Sequence, residues 1–351
     1  MDTTSFNPDA VALENTGIFG LSHSEADAKI ILLPQPWGVT VSYGGGTHEG
    51  PEAIFNASPQ IDYFHDAYGP DSWKVPVYMT PLSEVKGVYK RGKQLRSKAE
   101  KHIAAISKGK KQDQRLLDEI NIACEAFHEE VRGDAAYYLN EGRIVGLIGG
   151  DHSTPYGLIQ ALSGVHDSFG VLQIDAHCDL RDAYEGFVYS HASIMWNVMK
   201  NVSQVTQLTQ VGIRDYSPSE RKLIDSNPNR ITTFFDADIS KMRFEGALWS
   251  ETVKKIIETL PQKVYISFDI DGLMPSLCPG TGTPVPGGLE FEQAIYLIRK
   301  VAESGRVIIG FDVNEVAPHK DDREWNANVG MRVLWNLVQW AAYSNKIVLE
   351  K

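Results

Sequence analysis

Seven apolar runs that are typical of buried parallel β-strands alternate along this chain with segments of helical pattern. Such alternation favours a parallel sheet covered by helices, which restricts the chain to the α/β class. We predict helices at GPEAIFNAS, after GGDHS, and near residues 217–226, 247–259, 289–304 and 328–345. The predicted strands are AKIILLPQP, RIVGLIGG, FGVLQID, LTQVGIR, RITTFFD, VYISFD and RVIIGFD.

Three of these predicted strands lead directly into clusters of acidic residues and histidines, GGDHS, DAHCD and SFDID. Residues two apart on an extended chain point the same way, so the charged members of a cluster project together. Sites in open parallel sheets form at the carboxyl ends of the strands, where these clusters fall. The candidate metal ligands are His152, Asp175, His177, Asp179, Asp269 and Asp271.

Each cluster also has an ordinary structural interpretation. A single DxH or DxD at a strand end is more often a cap or a turn than a ligand set. GGDHS alone could be a tight turn in which Asp151 or Ser153 caps the next helix. Three clusters of one kind, each after an apolar strand, favour a shared metal site over three separate turns.

The candidate ligands comprise two imidazoles and four carboxylates, with no thiolate. Such a donor set suits Mn²⁺ best, Fe²⁺ or Ni²⁺ less well, and argues against a structural thiolate zinc site. Six residues can serve two ions only if some carboxylates bridge them. Two cations about 3.5–4 Å apart generate a hydroxide from a shared water and aim it at an electrophile. The sequence therefore predicts a metallohydrolase.

The motifs GGDHS, DAHCD and SFDIDGLMPSLCPGTGTPVPGG resemble the signatures of the ureohydrolase family, which includes arginases and agmatinases. The resemblance extends from residues 36–54 to residues 310–318. It implies one ureohydrolase domain over residues 1–351. It also implies a three-layer α/β/α sandwich, arginase-like, with a mostly parallel central sheet and two Mn²⁺ per subunit, Ni²⁺ or Fe²⁺ being alternatives.

The resemblance also implies how the ligands divide between the ions. One ion is expected on His152, Asp175, Asp179 and Asp269. The other is expected on His177, Asp175, Asp269 and Asp271, so that Asp175 and Asp269 bridge.

Three residues gain catalytic roles from the resemblance. A guanidinium carbon is a poor electrophile, and the expelled amine needs a proton. His191 matches the family's proton-shuttling histidine, and Glu315 matches the carboxylate that orients the guanidinium. Asp271 is expected to accept the proton of the bridging hydroxide. Taken alone, His191 reads as a structural histidine and Glu315 as the partner of a neighbouring base.

The segment 180–191, LRDAYEGFVYSH, is similar to agmatinases and lacks the polar loop with which arginases hold the α-carboxylate. The segment VGIRDYSPSE is also similar to agmatinases. The expected reaction converts agmatine and water to putrescine and urea, by attack of a metal-bridging hydroxide on the guanidinium carbon. Arg181 leaves alternatives open, because it could bind a substrate carboxylate or pair with Asp182 or Glu185.

The alternatives within the family are guanidinobutyrase, formimidoylglutamase, arginase and guanidinase. A further alternative is a catalytically silent metal-binding homologue that acts as an assembly subunit. Met274 departs from the aspartate usual at this point of the third motif. It lies outside the ligand set, so a reshaped loop is expected rather than metal loss.

Residues 69–142 are longer than a connection in a compact domain should be, and we predict a helical, basic excursion there. Its segment 88–115 is markedly basic. A solvated or subunit-contacting helix is favoured over a phosphate-binding one, because aromatic residues are nearly absent and acidic residues dilute the charge. The resemblance implies a homo-oligomer, a trimer or hexamer, and this segment is a candidate contact.

The net charge of −11 argues against nucleic-acid or anionic-membrane partners and suits a cationic small-molecule substrate. Three cysteines without a CxxC pair favour a reducing cytoplasm. No secretory signal is visible in MDTTSFNPDAVALENTG, and no apolar run approaches the ~20 residues of a membrane span.

Overall fold

The computed structural model describes residues 6–11 and 16–347, and its central element is an eight-stranded sheet in which every pair of neighbours is parallel. The strand order is β2-β1-β3-β8-β7-β4-β5-β6. The strands are β1 Ile30–Gln35, β2 Val77–Met79, β3 Ile144–Gly149, β4 Phe169–Ile174, β5 Val205–Ile213, β6 Ile231–Phe235, β7 Lys263–Asp269 and β8 Val307–Asn314.

All seven predicted strands are confirmed, and β2 is an addition that the sequence did not indicate. β2 has only three residues and lies at the edge of the sheet, so it is too short to show a period. The sheet was predicted to be mostly parallel, and it is parallel throughout the described residues. Parts of the amino-terminal segment, on which the absence of a signal was predicted, lie outside those residues.

Ten α-helices lie between or after the strands in the described part of the chain. They are α1 Gly50–Ala57, α2 Lys86–Ile106, α3 Gln114–Asn140, α4 Tyr156–Leu162, α5 Ile194–Asn201, α6 Pro218–Ser226, α7 Asp236–Phe244, α8 Trp249–Thr259, α9 Phe291–Glu303 and α10 Trp325–Ser344. The predicted helices correspond to six of these. α5 and α7 were not predicted, and α7 buries only Ile239, so its sequence carries little amphipathic pattern.

The helices form two layers, one on each face of the sheet, so the three-layer sandwich is confirmed. One buried cluster joins α1, α8, α9 and α10 to the sheet through residues such as Ile54, Ile256 and Leu334. A second cluster joins α3, α4 and α5 to the opposite face through residues such as Phe127 and Ile159. Apolar strands with a helix layer on each face explain the unbroken apolar runs in the sequence.

The segment 69–142 contains β2, α2 and α3. α3 is amphipathic, and its buried face, which includes Ile120, Phe127 and Val131, packs in the second core cluster. The segment is therefore part of the helical layer and not a solvated excursion alone. No described helix is long and apolar enough to span a bilayer.

Candidate metal centre

The predicted site residues all lie at the carboxyl edge of the four central strands. His152 lies shortly after β3, Asp175 directly after β4, Asp269 ends β7, and Glu315 follows β8. These four strands are adjacent in the order β3-β8-β7-β4. Parallel strands share one carboxyl edge, so residues far apart in sequence converge there.

The first group surrounds the Nδ1 atom of His152. This nitrogen lies 2.9 Å from Asp175 Oδ2, 3.0 Å from Asp179 Oδ2 and 3.3 Å from Asp269 Oδ2. The His152 ring is buried, and its Nδ1 makes no hydrogen bond of acceptable geometry with any described residue. Ligand atoms of His152, Asp175 and Asp179 all lie within 4.8 Å of one another, as a shared metal ion requires, and Asp269 Oδ2 is a third oxygen near the same nitrogen.

The second group is built on His177. Its Nδ1 atom lies 3.1 Å from Asp271 Oδ2 and 3.6 Å from Asp175 Oδ1. Asp175 thus presents one oxygen to each group, as a bridging ligand must. Asp269 contacts only the first group in this way, and its Oδ1 accepts a hydrogen bond from the Asp271 amide at 2.8 Å. Its bridging role stays a prediction.

Hydrogen bonds fix the orientation of the His152 ring. Ser267 Oγ donates to Asp312 Oδ1 at 3.1 Å and lies 2.8 Å from His152 Nε2. Since the single Ser267 hydroxyl proton goes to Asp312, this oxygen accepts from the imidazole Nε2–H. When His152 is neutral, its lone pair is therefore on Nδ1, facing the carboxylates. Such outer partners commonly set the tautomer of metal-binding histidines.

The charges of the site are strongly coupled. Burial opposes charge on His152, but the surrounding carboxylates raise the pKa of this imidazole well above its usual value. Burial and the charge of Asp175 raise the pKa of Asp179 to about 7. Burial and the charges of Asp271 and Asp175 raise the pKa of Asp269. Four carboxylates crowded in a buried site need positive charge, which divalent cations supply.

His191 is largely buried and lines the same cleft as His177 and Asp179. Its Nδ1 atom is 3.1 Å from the carbonyl oxygen of Thr40, which can only accept, so Nδ1 carries the proton. Nε2 then holds the lone pair and lies 3.3 Å from Ser42 Oγ. Burial, and next the positive charge of His177, lower the pKa of His191 to about 3. The ring is thus neutral at pH 7 and can accept a proton at Nε2.

Glu315 is buried and adopts a left-handed backbone conformation, with φ of 63°. This region is uncommon for residues other than glycine, and such strain often marks functional sites. Its Oε1 atom accepts a hydrogen bond from the His152 amide at 2.9 Å. Oε2 faces Gly282, where an added Cβ would lie 3.0 Å away. Burial and the charge of Asp151 raise the pKa of Glu315.

Comparison with known proteins identifies the family. Residues 28–339 match the family model described as the arginase family, which is well over half of the chain.

The chain belongs to the arginase family.

It is therefore a ureohydrolase, an enzyme that hydrolyses guanidino C–N bonds, and its substrate is a small guanidino compound. The chain is 30% identical over 294 residues to an N(1)-aminopropylagmatine ureohydrolase of Thermus thermophilus, covering 84% of each chain. It is 28% identical to an agmatinase of Neisseria meningitidis, covering 88% of this chain and 86% of the relative. The agmatine ureohydrolase structure of Thermoplasma volcanium superposes with a TM-score of 0.69 at 20% identity. That match covers 99% of this chain and 98% of the other and supports the fold.

A cleft of about 420 Å³ opens beside the candidate metal centre of this ureohydrolase. His177, Asp179 and His191 line it, whereas Glu315 lies beneath His152 and does not. Ser42 and Asp215 are also on its wall. The Asp179 carboxylate and the neutral His191 imidazole therefore both border this cleft.

Arg181, the only lysine or arginine among the described residues that line this cleft, is paired within the protein. Its Nε atom lies 3.5 Å from a carboxylate oxygen of Glu220, and its guanidinium stacks 4.5 Å from the Tyr184 ring centroid. The sequence offered Asp182 or Glu185 as partners, and both were wrong. Glu220 is 39 residues further along the chain, in the first turn of α6, a separation that no local pattern predicts.

Several residues of this site were missed by sequence reasoning. Thr40 and Ser42 orient His191 from the loop after β1, and their signal was their position after a strand end. Arg214 donates to the carbonyl oxygens of Asp271 and Leu273 and thereby supports the third motif from behind. Its only sequence signal was the fact that it follows β5.

Residues 180–191 form a loop that carries Arg181 and His191 over the cleft, and α2 and α3 hold its outer side. The Asn121 amide of α3 donates to Gly186 O at 3.2 Å and accepts from Val188 N at 2.9 Å. The His102 ring of α2 lies 3.1 Å from Glu185 O. The helical segment thus supports the loop that is expected to define the substrate.

Proposed function

We propose that this ureohydrolase is an agmatinase, which hydrolyses agmatine to putrescine and urea at a binuclear manganese centre. The observation that carries this proposal is the charge of the cleft. Asp215 presents a carboxylate that has no ion-pair partner in the described part of the chain, while Arg181 is already paired with Glu220. The cleft therefore favours a substrate with a second cation and no carboxylate.

Agmatine fits this requirement because it carries a guanidinium at one end and an ammonium at the other. With the guanidinium at the metal centre, the ammonium points along the cleft, and Asp215 is exposed there to receive it. Arginine and guanidinobutyrate would bring a carboxylate next to Asp215 and Glu220. Like charges at close range disfavour that arrangement, which is a basis for specificity.

The contacts described above support the following ligand sets, apart from the second contact of Asp269, which the family resemblance implies. We assign one ion to His152, Asp175, Asp179 and Asp269, and the other to His177, Asp175, Asp269 and Asp271. Ions bound there supply Lewis acidity and lower the pKa of bound water. The oxygen-rich donor set favours manganese, with Ni²⁺ or Fe²⁺ as alternatives.

The remaining roles belong to side chains of this chain. Asp271, through Oδ2, accepts the proton of the attacking water. Glu315 orients the planar guanidinium through Oε2, since its Oε1 is occupied by the His152 amide. His191 takes up a proton at Nε2 and delivers it to the leaving amine. Its pKa of about 3 means that it starts neutral and must gain the proton during the reaction.

A second candidate substrate is N(1)-aminopropylagmatine, the substrate in the name of the Thermus thermophilus relative. The observation that favours it is a neighbouring cavity of about 560 Å³, which shares Arg181 and Tyr184 with the cleft. A longer polyamine chain could extend past the Arg181–Tyr184 stack into that cavity. Asp182 lines it and would face the additional amine.

The test is urea release by the Mn²⁺-loaded protein with agmatine, N(1)-aminopropylagmatine, arginine, guanidinobutyrate and guanidine compared side by side. Formimidoylglutamate is followed by formamide release. The largest kcat/KM on agmatine supports the proposal, and the largest value on the longer amine supports the second candidate. Preference for a carboxylate-bearing substrate would overturn both. If neither urea nor formamide is released from any substrate, with Ni²⁺ and Fe²⁺ as well as Mn²⁺, the result would favour a catalytically silent assembly subunit.

Asp215→Asn tests the charge argument directly. A hydrogen bond to a charged group contributes about 1.5–3 kcal/mol, so KM for agmatine should rise roughly 10- to 100-fold with metal content unchanged. Asp225→Asn, on the exposed face of α6, is the matched control and should leave KM unaltered. An unchanged KM in Asp215→Asn would contradict the placement of the ammonium.

We also propose a cytoplasmic homo-oligomer, a trimer or a hexamer. The three buried free cysteines suit a reducing compartment. Sedimentation velocity of the purified protein measures the subunit number, and a monomer would contradict the proposal.

A further inference from the structure

A second cavity lies at the same carboxyl edge of the sheet, at the end of the sheet that β1 and β2 form. It has a volume of about 710 Å³, compared with about 420 Å³ for the catalytic cleft. Its floor is formed at the end of β1 and just after β2, and its walls are the start of α2 and the second half of α3. None of its lining residues lines the catalytic cleft.

The floor of this cavity holds two buried polar side chains. Gln35 is 3% exposed and Thr80 is 8% exposed. Both line the cavity, and neither side chain forms a hydrogen bond with any residue that the structure describes. Their unpaired polar atoms face the space of the cavity, so they can form hydrogen bonds with a molecule that enters it.

The walls of the cavity are acidic. Two of its four carboxylates are already paired, Glu129 with Arg132 and Glu130 with Arg91. The other two, Glu84 and Asp134, have no ion-pair partner within the described ranges. Burial, and next the charges of Glu130 and Glu84, raise the pKa of Asp134, as expected for a carboxylate held among like charges. The cavity therefore selects for positive charge.

The positive charge that fits is extended and organic. In the described residues, groups of three or more metal-ligating atoms that converge as a metal ion requires occur only at the catalytic centre. The carboxylates of this cavity are spread along its walls instead. Apolar contacts come from Leu33, Val85 and Val88, and Tyr137 lies at the cavity with 58% of its surface exposed. Methylene groups suit the first three, and an ammonium suits the tyrosine face.

We propose that this cavity, the β1–β2 cleft, is a non-catalytic binding site for a linear aliphatic diamine or triamine. One ammonium group pairs with Glu84 and another with Asp134. The ammonium group that lies nearest the floor also donates hydrogen bonds to Gln35 Oε1 and Thr80 Oγ1. The methylene chain packs on Val85, the amino-terminal cap of α2, and on Val88 within α2. The proposal does not depend on which substrate the catalytic cleft accepts.

A small molecule is favoured over a basic protein segment because the unpartnered groups lie on the buried floor. Gly133 offers a way to close the cavity without changing its charge. A Cβ added there meets nothing within 4 Å, so a larger side chain would project into open space. Leucine also has a higher helix propensity than glycine, so Gly133→Leu should fold.

The experiment is isothermal titration of the Mn²⁺-loaded protein with 1,4-diaminobutane and with spermidine. 1-Aminobutane and Mg²⁺ serve as comparison probes. Asp215→Asn weakens amine binding in the catalytic cleft alone, and so it separates the two sites. Gly133→Leu and the double variant Glu84→Gln/Asp134→Asn alter the β1–β2 cleft alone.

The expected result is saturable binding of a diamine or triamine that persists in Asp215→Asn. It should weaken by roughly tenfold or more in Gly133→Leu and in the double variant, since charged hydrogen bonds are lost or blocked. Urea release should continue in both of those variants. 1-Aminobutane should bind at least roughly tenfold more weakly than 1,4-diaminobutane, because it can satisfy only one carboxylate.

Three outcomes would overturn the proposal. Binding that disappears in Asp215→Asn and survives in Gly133→Leu would place the amine in the catalytic cleft only. Equal competition by Mg²⁺ would indicate a diffuse acidic surface. A change of sedimentation coefficient in Gly133→Leu, without amine binding to the wild type, would show that a segment of another subunit occupies the cavity.

Discussion

His128 of α3 lies among aromatic rings behind the loop of residues 180–191, which we call the substrate loop. Its ring centroid is 5.2 Å from that of Phe127, 5.3 Å from Tyr156 and 5.0 Å from Tyr189. Neither ring nitrogen has a hydrogen-bond partner among the residues that the structure describes. Burial lowers the pKa of His128 from 6.5 to about 3, so the folded protein holds this ring neutral.

The pH dependence follows from the sign of this shift. The unfolded chain binds a proton below pH 6.5, whereas the folded chain does so only near pH 3. The stabilisation is therefore fully present above pH 6.5 and is lost as the pH falls toward 3. At pH 5 the loss amounts to about 2 kcal/mol, from about 1.5 pH units at about 1.4 kcal/mol each.

His128→Phe should remove this sensitivity, because phenylalanine neither titrates nor leaves ring nitrogens unpaired. Urea unfolding followed by circular dichroism at pH 7.5 and pH 5 measures the free energy of unfolding. Wild type should lose about 2 kcal/mol more than the variant over this interval. His65→Phe, at an exposed histidine, is the control and should behave as wild type. Equal losses in wild type and His128→Phe would refute the reasoning.

Three further variants test the catalytic site. Asp269→Asn should abolish turnover and lower the bound metal, measured by elemental analysis beside urea release; full activity would contradict its bridging role. His191→Ala should lower kcat by about 10²- to 10⁴-fold with both metals retained, and metal loss would make it a ligand instead. Asn121→Ala removes both hydrogen bonds to the substrate loop, so KM should rise with metal content unchanged. Asn140→Ala, exposed at the end of α3, is its control, and equal KM values would show that the loop is held otherwise.

The residues that sequence reasoning grouped as candidate metal ligands do lie together in the structure, because their signal is local. Each ligand cluster follows an apolar strand, and parallel strands bring their carboxyl ends to one edge. Asp175 and His177 are close on the chain and remain close in space. The three-layer fold followed from the same strands, since each is apolar on both faces.

The features that escaped prediction depend on contacts between distant segments. Arg181 pairs with Glu220 rather than with its sequence neighbours, and the proton position on His191 depends on a carbonyl of Thr40. β2 is too short to show a period. The pairing of Arg181 with Glu220 bears most directly on which substrate is bound, and it depends on the contact between α6 and the loop of residues 180–191.

β8 occupies a singular place in the order of the sheet. It is the strand that joins β2, β1 and β3 on one side to β7, β4, β5 and β6 on the other. Among the described strands it is also the one made last during synthesis on the ribosome. Until it emerges, the nascent chain holds two sheet fragments with open edges at β3 and β7, and such edges invite pairing with other chains. Co-translational folding of this enzyme should therefore finish late, and nascent chains stalled before β8 should depend on chaperones that shield strand edges.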